Sequence, residues 1–528
     1  MNRRYSFLAS IMVAFTLSLF LTIYRVYIRD AYWIEMIPFL LLLPMLFFLG
    51  KGILRYLRIN IGVVLLLSFI LRVVWMLSFD TYPTMDSHQY YSEGLKIAAG
   101  GYWMNPANTP YWPIGYKAFL GALTWCFGEH LWLAKIVNIL LQLLSCYLLY
   151  LITLLMFPSS KSSETTVKLA KFALCLYAFY PNSIFYSGAV WTEPLFTMLL
   201  LLSFWTLMRV PAANKHHFKS YLFAGVFFAL ASLVRPIAPV FPLVFFALKL
   251  LLERKIKIVV VAKQLLLLYA AFLLTLSPWA IRNYLLYNKI ILTASNGPLV
   301  LFINFVLDND ESKLTKLMKP QGPVDESNMS SYLASYMLEH PFKTLKTMGK
   351  NVYRLYANDF DGIEITSESR LPQTIEEHTF QEVLQHIHPQ IHLVDPKAFY
   401  TLKSEDGKYH LKPLETIPEL TRIHLAQTIR YSFAYPYRET EVGVLRLMKA
   451  LNSLFYYFVI IVFALSLIRT LRTLHSNTLL GLGIILLTTM IHASSVGGAR
   501  YHFPIMPWIF AYVAYFLHTR SVEWQRKF

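Results

Sequence analysis

Long apolar runs separated by short polar gaps set the pattern of this chain. They fall near 7–26, 33–50, 60–78, 132–157, 169–187, 194–209, 221–234, 237–252, 264–280, 446–468, 477–492 and 503–518. A helix of roughly 20 apolar residues crosses a bilayer, so the pattern predicts twelve membrane spans with both termini on one side. From about Arg282 to Val444 the hydropathy drops. Short apolar runs there alternate with charged clusters, such as those at 308–313 and 403–408, and predict a small mixed α/β domain. The fold expected is thus an all-α polytopic membrane protein with a small α/β domain outside the bilayer. Within 340–359, Phe342, Leu345, Met348, Val352 and Leu355 recur near helical spacing, with Lys343, Lys346, Lys350 and Arg354 between them. This is an amphipathic helix, lying either on anionic headgroups at the interface or on the soluble domain.

One gap does not look like a connection. Residues 79–131 separate two apolar runs, yet they carry Asp86, His88, Glu93, many Tyr and Trp, and the turn-formers Gly100, Gly101, Pro106, Pro110 and Pro113. A carboxylate just past a helix end, under an aromatic lid braced by proline, suits a reactive site at a membrane surface. The same residues would also serve a re-entrant or surface-packing loop.

Composition agrees with the pattern. At 56% hydrophobic residues, the chain has more apolar surface than a soluble fold can hide. The first apolar run lacks a small-residue cleavage site and reads as a span, not a removed signal. Cys126, Cys146 and Cys175 have no spacing that makes a disulfide framework or a zinc site. The net charge of +18 would point to nucleic acid in a soluble protein, but here the basic residues lie in alternate gaps. Arg3 and Arg4, Lys51 to Arg58, Lys161 to Lys171, Arg209 to Lys219, Arg254 to Lys263, Arg469 and Arg472, and Arg520 to Lys527 all fall on one side. The 79–131 loop has only Lys96 and Lys117; Arg25 and Arg29 run against the trend. The positive-inside rule then places both termini in the cytoplasm and Asp86 outside, with no role for nucleic acid. No Walker loop or GxGxxG is present, which argues against ATP-driven transport.

Four polar groups sit at the outer ends of expected spans. They are Asp86 with His88; Glu193 in a short turn after 180–187; Arg235 beside Pro236; and Arg282 in 277–284 together with Arg500, Tyr501 and His502 in 498–504. Ionisable residues at membrane depth are rare and usually functional, although a single arginine also serves as an interfacial anchor. His386, His388 and His392 match no closed zinc motif and read as alternating positions of a surface strand. Asn328 opens a glycosylation sequon that carries little weight alone.

In order along the chain, Asp86–Tyr90, Tyr111–Tyr116, Phe185–Pro194, Leu233–Pro236, Pro278–Tyr284 with Asn296-Gly297, and Ala499–Pro504 resemble the motifs of GT-C glycosyltransferases that use polyprenyl-phosphate sugars. The resemblance is to the bacterial family similar to protein O-mannosyltransferases and the lipid A aminoarabinose transferase. That family has its acidic loop after the first span; here it follows the third, so residues 1–59 read as two added spans. The remainder divides into a transmembrane core (60–281), the outer region (282–444) and C-terminal spans (445–528). The 340–359 stretch resembles the family's basic interfacial helix.

The resemblance implies a plasma-membrane enzyme that moves a sugar from a polyprenyl-phosphate donor to a lipid, glycan or protein acceptor on the outer face. The donor phosphate approaches a second negative charge as the sugar leaves, so cations are needed beside it. Arg235, Arg282, Arg500 and Lys117 are the candidates. Asp86 is the candidate base, acting directly or through a bound divalent cation, and one base with a leaving-group clamp implies inversion. Glu193 would orient the acceptor or tune Asp86. His88, Tyr90, Trp112, Tyr116, Tyr501 and His502 would contact sugar or acceptor. Two readings stay open beside it: an O-antigen ligase or polymerase using a similar donor, and a lipid or solute transporter, which usually shows related halves and mid-span acids.

Overall fold

The computed structural model describes residues 2–28, 60–158, 163–210, 218–253, 256–307, 328–385, 394–403, 406–432, 443–470 and 476–525. The span expected at 33–50, the basic gap at 51–58, the cluster at 308–313, and His386, His388 and His392 lie outside the described residues.

The described chain is mostly helical. Among the described residues four helices are long and apolar enough to cross a membrane: Ile61–Ser78, Leu131–Met156, Ile258–Tyr287 and Gly443–Ile468. Shorter apolar helices run over Ile11–Val26, Glu193–Met208, Phe218–Val234, Ala238–Leu252 and Asn477–Ala493. The expected twelve are therefore met in part. The run at 169–187 is not one helix: Ser163–Ala178 stops, and a short helix begins afresh at Pro181. Proline starts a helix well but cannot donate within one. The run at 264–280 extends both ways into the 30-residue helix Ile258–Tyr287, which passes the boundary expected at 281.

Successive helices pack in a row. Ile258–Tyr287 lies on Phe218–Val234, which lies on Glu193–Met208, which lies on Leu131–Met156. Ser163–Ala178, Met506–Gln525, Gly443–Thr470 and Asn2–Thr22 continue the series. Glu193–Met208 is apolar on all sides, so it has no solvent face and is buried nearly throughout. Pro194 fixes its first turn. Glu193, in that same turn, places its carboxylate at the positive end of the helix dipole.

Residues 361–432 hold short helices and a three-stranded antiparallel sheet in which Lys408–Leu411 is central, between Thr374–Glu376 and Tyr400–Lys403. Phe380 covers this sheet, its ring 4.0 Å from that of Tyr409. The region meets the 79–131 loop where the Tyr82 amide donates to the Ser369 carbonyl at 2.7 Å.

The helix Pro341–Tyr356 forms where the periodicity places it. It packs on the protein through Thr347, Asn351 and Leu355, leaving Phe342 87% and Leu345 62% exposed beside their lysines. Asn351 donates to the carbonyls of Ala493 and Ser495 at 3.0 and 3.3 Å. Gly497 permits this approach: a Cβ there would lie 2.1 Å from the Asn351 carbonyl oxygen.

Candidate active site

Asp86 is the first residue of the helix Asp86–Ala98. Its position is set by the turn before it. The Ser87 hydroxyl accepts from the Thr84 amide at 2.9 Å and donates to the Thr84 carbonyl at 2.7 Å. Met85 has φ 51, a region that non-glycine residues rarely occupy. It is held there by its amide, which donates to Gln427 Oε1 at 2.6 Å. Strain of this kind persists only where the surroundings over-determine it.

Arg500 reaches Asp86 from the far end of the chain, Nη1 to Oδ2 at 3.1 Å. It also donates to the Tyr501 hydroxyl at 3.1 Å and lies 5.4 Å from the Trp191 ring. A second ion pair stands behind the first. Arg235 pairs through Nη2 with Glu193, whose side chain is 0% exposed. Thr192 donates to Glu193 Oε2 at 3.1 Å. Arg235 lies 5.4 Å from the Tyr501 ring and Arg500 lies 5.1 Å from it. Thus Asp86, Glu193, Arg235 and Arg500, from four separate segments, come together, with both arginines beside one tyrosine.

A cleft of about 170 Å³ opens on this group, lined by Thr84, Met85, Trp191 and Arg500 on one side and by Asp361, Glu364, Glu368 and Ser369 on the other. Glu364 pairs with Lys449 at 3.4 Å and Glu368 with Arg430 at 2.8 Å. Asp361 Oδ2 is shielded from solvent and has no hydrogen-bond partner. Burial, then the nearby Glu364 and Asp359, push its carboxyl well above the usual range.

Three expected phosphate or acceptor contacts are placed elsewhere. Lys117 is buried against Glu93 at 2.5 Å. Arg282 is buried too, donating to the carbonyls of Trp103 and Asn108 at 2.8 Å each, so it clamps the 79–131 loop. His502 is fully buried, with Nε2 2.9 Å from Asp359 Oδ1. Each already has the partners a buried polar group requires. Tyr90 packs edge-on against Tyr116 at 5.8 Å and Trp112 at 6.3 Å, and Tyr116 accepts from Asn138 at 2.9 Å. These rings are buried or half-buried and brace the helix carrying Asp86. His88 meets His424 at 3.2 Å. Burial, then His424 and Lys96, hold the His88 ring down to about 4.

The sequence reading missed Asp361 and Trp191. Trp191 lies inside a motif already noted. Asp361 follows Asp359 in a Tyr- and Phe-rich stretch just past the amphipathic helix, which is the signal it left. A divalent cation needs several converging oxygen ligands. Among the described residues no three His, Cys, Asp or Glu side chains converge in that way, and Asp86 is occupied by Arg500. Among the described residues, those around Asp86 do not make such a ligand set.

No family model and no curated protein sequence matches the chain. Among solved structures, ArnT from Cupriavidus metallidurans bound to undecaprenyl phosphate is similar at 11% identity, over 87% of this chain and 78% of its own, with a TM-score of 0.35. The oligosaccharyltransferase of Archaeoglobus fulgidus, in complex with zinc and sulfate, is 12% identical over 82% of this chain and 53% of its own, with a TM-score of 0.35. The archaeal oligosaccharyltransferase AglB from Archaeoglobus fulgidus, with an inhibitory peptide and a dolichol-phosphate, is 13% identical over 83% of this chain and 56% of its own, with a TM-score of 0.33. The chain thus spans little more than half the length of either oligosaccharyltransferase. Likeness at this level decides nothing about activity, which has to be argued from the side chains.

Proposed function

We propose that this protein is a membrane glycosyltransferase that moves a sugar from a polyprenyl-phosphate donor to an acceptor at the outer face of the plasma membrane. The observation that carries the reading is the convergence of Arg235 and Arg500 on Tyr501, with Arg500 both lining the cleft and paired with Asp86. The ordered motifs from Asp86 to Pro504 support the same reading.

The chemistry is a single displacement. The acceptor's heteroatom bonds to the anomeric carbon, and the carbon–oxygen bond to phosphate breaks with its electron pair left on the phosphate. Guanidinium groups suit the charge that develops, since they stay ionised and bind phosphate through two N–H groups at once. Arg500 spends Nη1 on Asp86 and Nη2 on Tyr501, which leaves N–H groups for an incoming oxyanion. The acceptor's proton passes to a carboxylate at the cleft; Asp86 is the group the sequence assigns to this. One displacement inverts the anomeric centre.

The donor clamp is tested by titrating the full chain in nanodiscs with undecaprenyl phosphate and following its melting temperature. A ligand that binds only the folded state raises it. A charge-assisted contact contributes about 1.5–3 kcal/mol, so Arg500→Gln should weaken binding by roughly tenfold or more. Equal affinity in wild type and variant would reduce Arg500 to an interfacial anchor.

A further inference from the structure

Three charged groups other than Asp361 line the cleft, and each has a counter-ion. Arg500 holds Asp86, Lys449 holds Glu364, and Arg430 holds Glu368. Among the described residues Asp361 forms no ion pair, although Arg500 acts on it at longer range, and its Oδ2 is closed off from water without a hydrogen bond. A buried polar atom left unpartnered is destabilising and calls for an explanation.

Asp361 is also held rigidly. It opens the helix Asp361–Glu368. On one side the Gly362 amide donates to Asn182 Oδ1 at 2.9 Å. On the other, Asp359 accepts two hydrogen bonds of 2.7 Å from the Tyr180 hydroxyl and one of 2.9 Å from His502. A carboxyl fixed by its neighbours, with an unsatisfied oxygen beside the cleft, is what proton transfer from an incoming group needs. Asp86, by contrast, would have to give up its ion pair with Arg500 to take a proton.

We propose that Asp361 takes the acceptor's proton during sugar transfer, and that Asp86 is a positioning residue that holds Arg500 toward the donor phosphate. This rests on the transferase reading above. The acceptor's O–H or N–H bond breaks as its heteroatom bonds to the anomeric carbon. The proton goes to the carboxylate of Asp361, which lines the cleft, the electron pair of the broken glycosyl bond goes to the phosphate, and the proton is later lost to solvent. Burial raises the proton affinity of Asp361 above that of an exposed carboxylate, which strengthens it as a base.

The test is the pH dependence of single-turnover transfer by the full chain in nanodiscs. The probes are undecaprenyl-phosphate-linked pentoses and hexoses, with a membrane extract as acceptor. A base must be deprotonated, so the wild-type rate should rise with pH through one titration above the usual carboxylate range. Asp361→Asn should lower transfer by roughly 10²-fold and abolish that limb. Asp86→Asn should also slow transfer while keeping the limb. Asp361→Glu should retain the limb at a displaced pH, which covers the case of an Asn variant that fails to fold. If the limb survives in Asp361→Asn, or vanishes in Asp86→Asn, the assignment to Asp361 is overturned and the transferase stands. If the wild type transfers from none of the probes, the transferase reading fails and takes this assignment with it.

Discussion

Glu193 and Arg235 form an ion pair with no solvent on the carboxylate side. Removing one partner of such a pair leaves an uncompensated buried charge and typically costs about 3–5 kcal/mol. Arg235→Gln alone should therefore lower the denaturation midpoint sharply, and Arg235→Gln with Glu193→Gln should recover most of the loss. A single variant as stable as wild type would mean that the pair is open to water. His88 gives a second prediction at this scale. Its pKa is about 4 in the fold and near 6.5 when unfolded. The unfolded state therefore binds more protons between those values, and stability should fall as pH drops through about 6.5 toward 4. Melting curves across that window should show the fall in wild type and less of it in His88→Gln. Asp86, Arg235 and Arg500 were legible because a charge beside an apolar run stands out. Lys117, Arg282 and His502 stand out in the same way, yet their partners come from other segments, which no local pattern reveals. Asp361 was hidden because its neighbours in sequence are charged too.

Among the elements, the helix Pro341–Tyr356 and the segment that carries Arg500 are in close contact. Gly497 lies against the Asn351 backbone, where a Cβ has no room. Gly497→Ala must push the two apart. The expected cost is about 1–3 kcal/mol, the usual range for overpacking. Transfer should fall further than that stability loss explains, because Arg500 is three residues away. Normal transfer by a stably folded Gly497→Ala would show that Arg500 tolerates movement of its segment. The periodicity identified this helix and the long apolar runs, since 3.6-residue spacing is local information. It did not give the break at Pro181 or the full extent of Ile258–Tyr287, because helix ends are decided by capping and packing as much as by hydropathy.

For the molecule as a whole, the charge pattern makes one claim about sidedness. If both termini are cytoplasmic, a cysteine placed at Asn328 should react with an impermeant reagent outside intact cells, and one placed at Lys257 should not. Labelling at Lys257 would reverse the orientation and move the cleft to the cytoplasm. The most direct measurement of the central claim is the fate of the donor. The full chain in nanodiscs is given undecaprenyl phosphate carrying a radiolabelled sugar, with membrane lipids and glycans as acceptors. The account predicts that the label leaves the lipid, undecaprenyl phosphate accumulates in equal amount, and Arg500→Gln slows both by more than tenfold at an unchanged melting temperature. A wild-type protein that leaves the donors intact, or an Arg500→Gln variant that turns them over at the wild-type rate, would contradict it.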